Sequence, residues 1–159
     1  MGNRVGNTYT LIEASPSDTA WLEALRRSVY QELFVLTWGG WDEARHQRHF
    51  ATCLEQRCIS IIHINQSPVG MLQLFENDAE LDIGEIQILP THQNLGIGTQ
   101  ILQDIIQRGA LAKKDVRLRV GLQNLKARRL YERLAFVVES TSETHYHMVR
   151  FPAPIPGEL

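Results

Sequence analysis

Little in this sequence suits a membrane or an oxidising compartment. No apolar run reaches the ~20 residues that a bilayer-spanning helix needs. The stretch Met1–Thr10 lacks the apolar core of a signal peptide. Only two cysteines occur, Cys53 and Cys58, too few for a disulfide framework; both are expected as buried thiols in a reduced, cytoplasmic setting. Neither sign of charge dominates. The 16 basic and 18 acidic residues leave a net charge of −2, which gives nucleic acid no general attraction. Metal-ligand spacing is also missing: His46 and His49 stand at i, i+3 on an expected helix without a recognisable third ligand, so no metal is expected.

What is present fits one domain. A chain of 159 residues has room for a single core, and residues 1–7 and the Pro152–Pro156 tail through residue 159 read as loose ends. Thr8–Ala14 alternates as a first strand, and Ser15-Pro16-Ser17-Asp18 signals a helix start. Trp21, Leu22, Leu25, Val29 and Leu33 then follow helical spacing up to a break expected over Leu36–Gly40. A second helix is expected over Trp41–Glu55. Cys58–Ile64, Pro68–Phe75 and Glu80–Leu89 read as strands, with turns at Asn65-Gln66-Ser67 and Glu76-Asn77-Asp78 that make antiparallel neighbours. Gly98–Ala112 carries Ile101, Leu102, Ile105 and Ile106 on one helical face. Val116–Val120 is a strand, Leu125–Leu134 a helix, and Phe136–Phe151 two strands around Thr141-Ser142-Glu143. The expected class is α+β: a mixed, mostly antiparallel twisted sheet of about seven strands with about four helices.

Between the last of the three strands and the amphipathic helix lies Gln93-Asn94-Leu95-Gly96-Ile97-Gly98-Thr99. Glycines at 96 and 98 allow a tight turn and close approach of a ligand to the backbone. Free N–H groups at a helix start form an anion site, so a diphosphate fits here. A dinucleotide fingerprint needs a third glycine where Ile101 stands, and a P-loop needs lysine after Gly98, where Thr99 stands. Eight of the 16 basic residues fall between Lys113 and Arg133, which suits a small polyanion.

Gln93-x-x-Gly96-x-Gly98 after Pro90 resembles the acetyl-CoA motif of the GNAT superfamily, with Asn94 where that family usually has glycine. Downstream, Asn124-x-x-Ala127-x-x-x-Tyr131-x-x-x-Ala135-Phe136 is similar to the family's second element, with Ala135 in place of glycine. If that position needs φ > 0, alanine costs on the order of 1 kcal/mol. The resemblance implies acetyl-CoA as acyl donor, held by Ile86, Ile88, Gln93, Asn94, Leu95, Gly96, Ile97, Gly98, Thr99, Asn124, Ala127, Arg128 and Tyr131. It implies direct transfer in a ternary complex, with backbone N–H groups around Ile86–Leu89 polarising the thioester carbonyl. Tyr131 is implied as the general acid to the departing thiolate; a packed aromatic is the plainer reading. Lys126, Arg128 and Arg129 are candidates for the adenosine-side phosphate.

Acylation needs a neutral amine, and an alkyl ammonium with pKa near ~10 must lose a proton. Asp82, Glu85 and Glu80 lie on the strand bordering the thioester. Alternation puts Glu80 and Asp82 on one face and Glu85 on the other, and Glu85 is preferred as base for its nearness to the reaction centre. The acceptor pocket is expected from the Leu36–Trp41 link, the second helix and the final hairpin. Its candidates are Trp38, Trp41, His145 and His147, with packing or surface roles as the alternatives. The leading reading is an N-acetyltransferase acting on a primary amine of a small molecule or peptide, with no nucleic acid or membrane partner. A homodimer is among the assemblies the sequence allows. The competing readings are a catalytically silent acyl-CoA-binding module and an interaction domain keeping only the fold.

Overall fold

A computed structural model describes residues 8–38, 48, 51–52 and 54–152. Strand β1 (Tyr9–Glu13) leads through a 3-10 turn (Pro16–Asp18) into helix α1 (Thr19–Trp38). Strands β2 (Ile59–Ile64), β3 (Ser67–Glu76) and β4 (Glu80–Ile88) follow. After a 3-10 turn at Pro90–His92 come helix α2 (Ile97–Ala112), β5 (Asp115–Gly121), helix α3 (Leu125–Arg133), β6 (Val137–Thr141) and β7 (His145–Arg150). The seven strands hydrogen-bond in the order β1-β2-β3-β4-β5-β7-β6. β1–β2, β2–β3, β5–β7 and β6–β7 pair antiparallel, and β4–β5 pair in parallel across the helical crossover. The mixed α+β class expected from sequence is the class observed.

One expectation needs correction. Helix α1 does not stop at Leu36: Leu36, Thr37 and Trp38 all remain helical, because nothing before Gly39 removes a donor or demands positive φ. Trp38 therefore belongs to α1 and not to a link after it. The described residues contain three α-helices; of the expected second helix, residues 48, 51–52 and 54–55 are helical, and the rest of 39–57, with Trp41, His46, His49 and Cys53, lies largely outside the description. No described helix is long and apolar enough to cross a membrane.

The chain clusters into two compact units, Met1–Gln73 with Glu85–Gly98, and Leu74–Gly84 with Thr99–Leu159. In the first, Leu22 and Leu25 of α1 and Ile59, Ile62, Val69, Met71 and Leu72 of the strands are buried. The β2–β3 hairpin closes through Asn65 and Gln66, both at positive φ (50° and 68°), as a two-residue turn matching the strand twist requires. Cys58 is a buried thiol that accepts from Gln73 Nε2. In the second, Leu81, Ile83, Val116, Leu118 and Met148 form the sheet side of the core, and Ile101, Leu102 and Ile105 of α2 are buried as the helical period demands.

Candidate active site

The glycine turn belongs to the first unit. Asn94 (φ 63°) and Gly96 (φ 82°) are both left-handed, so asparagine holds a conformation that costs most residues energy. Gln93 donates its side-chain amide to the Ile88 carbonyl at 2.9 Å, fastening the turn to the end of β4. Helix α2 starts at Ile97, which leaves the N–H groups of residues 96–99 without acceptors inside the helix. A Cβ added at Gly96 or Gly98 would meet no protein atom within 4 Å. Packing within the protein thus gives no reason for glycine at 98. The bare backbone faces open space, and this fits a ligand that lies against the amides.

Strand β4 carries the carboxylates. Its parallel ladder with β5 runs from Glu80↔Asp115 to Ile83↔Leu118. The Leu89 N–H donates to Val69 O at 2.8 Å. Of the amides around Ile86–Leu89 expected to polarise a carbonyl, that of Leu89 is therefore already engaged. Strand alternation points the Ile86 and Ile88 amides to the opposite edge from that of Leu89. Glu85 lies 2.8 Å from the Arg26 guanidinium and accepts from Gln87 Nε2 at 2.7 Å. Taking a proton there means breaking a bond already made.

Asp82 sits differently, in the second unit. Its strand position pairs with Arg117, Arg119 pairs with His147, and Gly121 with His145, so Asp82, Arg117, Arg119, His145 and His147 share one sheet face. Arg117 is held by Glu80 (2.8 Å), Asp115 (3.1 Å) and Glu139 (2.9 Å). Burial pushes the Asp82 carboxyl above the ordinary aspartate range; Arg119 opposes this, Glu80 adds to it, and Arg117 and His147 oppose it more weakly. Burial likewise holds His145 below the usual imidazole value, helped by Arg119 and His147. His145 Nδ1 lies 2.7 Å from Thr144 Oγ1. The two histidines do face one side, as their alternation about Tyr146 predicts.

Helix α3 is capped by Asn124, whose side chain accepts from the Ala127 N–H at 3.2 Å. Ala127, Arg128, Leu130, Tyr131 and Leu134 are its partly buried positions, and the outer face is exposed. Tyr131 meets Phe136 edge to face at 5.9 Å, and burial pushes its phenol up to about 12. The phenol is fully protonated at neutral pH. Arg128 stacks 4.1 Å over the Tyr146 ring and lies 3.6 Å from Glu132. The helix ends in paired bonds, Ala135 N–H to Glu132 O and Phe136 N–H to Tyr131 O, with Ala135 at φ 68°. This is the closing motif that favours glycine.

The residue pattern carries no signal for Arg26 or Gln87, and places Arg117 and Arg119 only within the basic 113–133 stretch, not beside Asp82. Arg117 and Arg119 alternate visibly on β5, but their closeness to Asp82 depends on a parallel pairing that no local signal announces. Among the described residues no cluster of three or more His, Cys, Asp or Glu is placed to hold a metal ion.

A glycine turn opening a helix after β4 and a capped helix bearing a buried tyrosine, on a seven-stranded mixed sheet, define the acyl-CoA N-acyltransferase class. A sequence model of the Acetyltransferase (GNAT) family matches residues 20–136, well over half of the chain, and the protein belongs to that family. No curated protein matches it significantly in sequence. Among solved structures, an acetyltransferase from Thermus thermophilus is similar over 91% of this chain and 97% of its own, with TM-score 0.73 and 20% identity. The PaiA N-acetyltransferase of Thermoplasma acidophilum, solved with coenzyme A, is similar over 91% and 99%, with TM-score 0.68 and 15% identity. Arabidopsis thaliana Naa50, bound to a bisubstrate analogue CoA-Ac-MVNAL, is similar over 89% and 97%, with TM-score 0.63 and 16% identity.

Proposed function

We propose that this protein transfers an acetyl group from acetyl-CoA to a primary amine of a small molecule or peptide, directly within a ternary complex. The observation that carries this reading is the turn at 93–98: two left-handed residues, a helix start with unspent amides, and glycines that face open space. The names of its structural neighbours, one solved with coenzyme A and one with a CoA–peptide bisubstrate, support the same reading.

Acetyl-CoA supplies the thioester acyl group. The amides of residues 96–99, with Gln93, Asn94 and Leu95 setting their geometry, hold the diphosphate. Asn124 and Ala127 border its pantetheine arm, and the Ile86 and Ile88 amides polarise the thioester carbonyl. Asp82 takes the proton of the amine. Its raised proton affinity brings it nearer to that task than an ordinary aspartate, and Glu85 is already committed to Arg26. Tyr131 Oη donates to the leaving sulfur. Because its phenol is a weaker acid than a thiol (~8.5), the hydrogen bond itself gives much of the stabilisation. Trp38, His145 and His147 are assigned to the acceptor side, and the setting is taken as cytoplasmic.

Calorimetry with acetyl-CoA on the wild type and on Gly98→Ala tests the turn. Alanine meets no protein atom at 98 and suits a helix better, by roughly 0.5–1 kcal/mol. The variant is expected to keep or raise its melting temperature and to lose at least about tenfold in affinity. Absence of wild-type binding refutes the reading. Binding without release of free thiol across an amine panel leaves a silent acyl-CoA-binding module.

A further inference from the structure

The sheet face that carries Asp82 holds two arginines in unlike situations. Arg117 is enclosed by Glu80, Asp115 and Glu139, so its charge is more than neutralised. Arg119, two residues further on the same face, makes no ion pair or hydrogen bond with any described acceptor and is exposed. Its directly opposite neighbour is His147, with His145 on the next like-facing position of β7, and Asp82 lies diagonally across β4. An arginine offers a planar fork of donors that matches a carboxylate. Placing it beside an aspartate and two imidazoles without giving it a protein acceptor leaves one anionic position open on this face.

We propose that Arg119 is a specificity-determining residue that receives a carboxylate of the acceptor, so that the amine acetylated by this protein belongs to an amino acid or a comparable amino-carboxylate. The inference rests on the acetyl-transfer reading. The geometry separates the two ends of such a molecule. Asp82 attracts the amine and takes its proton, and Arg119, on the neighbouring strand, binds the acid group. His147 and His145 lie beyond Arg119 on the far side from Asp82. Diagonal neighbours on a sheet lie about 7–8 Å apart at Cα, within reach of a small amino acid once both side chains extend toward it. Burial holds His145 neutral, so it adds hydrogen bonding without competing charge. A simple alkyl amine would forgo the charge-assisted bonds to the guanidinium.

The test compares acids with their carboxamides in two ways. Turnover is measured for glycine, leucine, phenylalanine and lysine against the corresponding amides. Binding of the N-acetyl acids and N-acetyl amides is measured by calorimetry in the presence of coenzyme A, which needs no turnover. The wild type is expected to favour at least one acid over its amide by about tenfold or more in kcat/KM and in Kd. Arg119→Gln should erase that ratio mainly through KM, and Arg119→Lys should restore part of it. A merely structural arginine would lower both members of each pair alike. Equal use of acid and amide by the wild type, no binding of any acid, or a ratio unchanged in Arg119→Gln overturns the proposal. If N-acetyl acids bind through Arg119 while no amine is turned over, the anion position stands and the transfer reading falls.

Discussion

The Arg26 guanidinium and the Glu85 carboxylate lie 2.8 Å apart with side chains only 10% and 15% exposed, joining α1 to β4. Gln87, itself 1% exposed, donates to the other carboxylate oxygen. Both oxygens of Glu85, the acid nearest the expected reaction centre by strand position, are thus engaged within the protein, which is the ground for proposing Asp82 as the proton acceptor. Its lone pairs already hold the helix in place.

Glu85→Gln is expected to destabilise the fold by about 3–5 kcal/mol, because it removes the carboxylate charge from a buried ion pair, and to keep kcat within a few-fold in the folded protein. Asp82→Asn should lower kcat by about 10²–10⁴. In the wild type the acid limb of kcat/KM should lie above the ordinary aspartate range, since Asp82 acts only when ionised and burial raises its pKa. The sign for stability is opposite to that of a salt-bridged acid. With its folded pKa raised, Asp82 contributes relative stability at low pH that is lost as pH rises through that value. Asp82→Asn should therefore be more stable than the wild type at neutral pH, the gap closing on acidification. Chemical denaturation at several pH values, read with rate profiles, checks both. A folded but inactive Glu85→Gln beside an active Asp82→Asn would move the base to Glu85.

Tyr131→Phe should reduce turnover while leaving the Kd for acetyl-CoA nearly unchanged. With the phenol near 12, no descending limb from Tyr131 should appear below about pH 10. Equal losses in rate and affinity would show that the hydroxyl serves the packing against Phe136.

Ala135 stands at φ 68° in the closing turn of α3. Ala135→Gly should stabilise the protein by roughly 1 kcal/mol, a rise of about 2–4 °C in melting temperature. Thermal denaturation checks it, and an unchanged or lower Tm would mean that the turn relaxes in solution.

Much of this was legible in the residues. The strand and helix pattern, the Asn65–Gln66 hairpin, the Gly96–Gly98 turn and the Asn124 cap follow from local preferences: period, positive φ and hydrogen bonds within a few residues. Even the doubt over Ala135 was visible, because alanine was written where a left-handed residue belongs. The end of α1 differs from the expected break at Leu36, since Leu36-Thr37-Trp38 contains nothing that stops a helix and all three stay helical.

The residue pattern by itself determined the elements, their order and the glycine turn, because each depends on interactions between near neighbours in the chain. Only the tertiary structure decided which carboxylate is spent on Arg26, which amide of β4 is taken by Val69, and that Arg119 stands beside Asp82 with no acceptor of its own. Those outcomes depend on strand register and helix placement, which bring together groups tens of residues apart and which no local preference encodes.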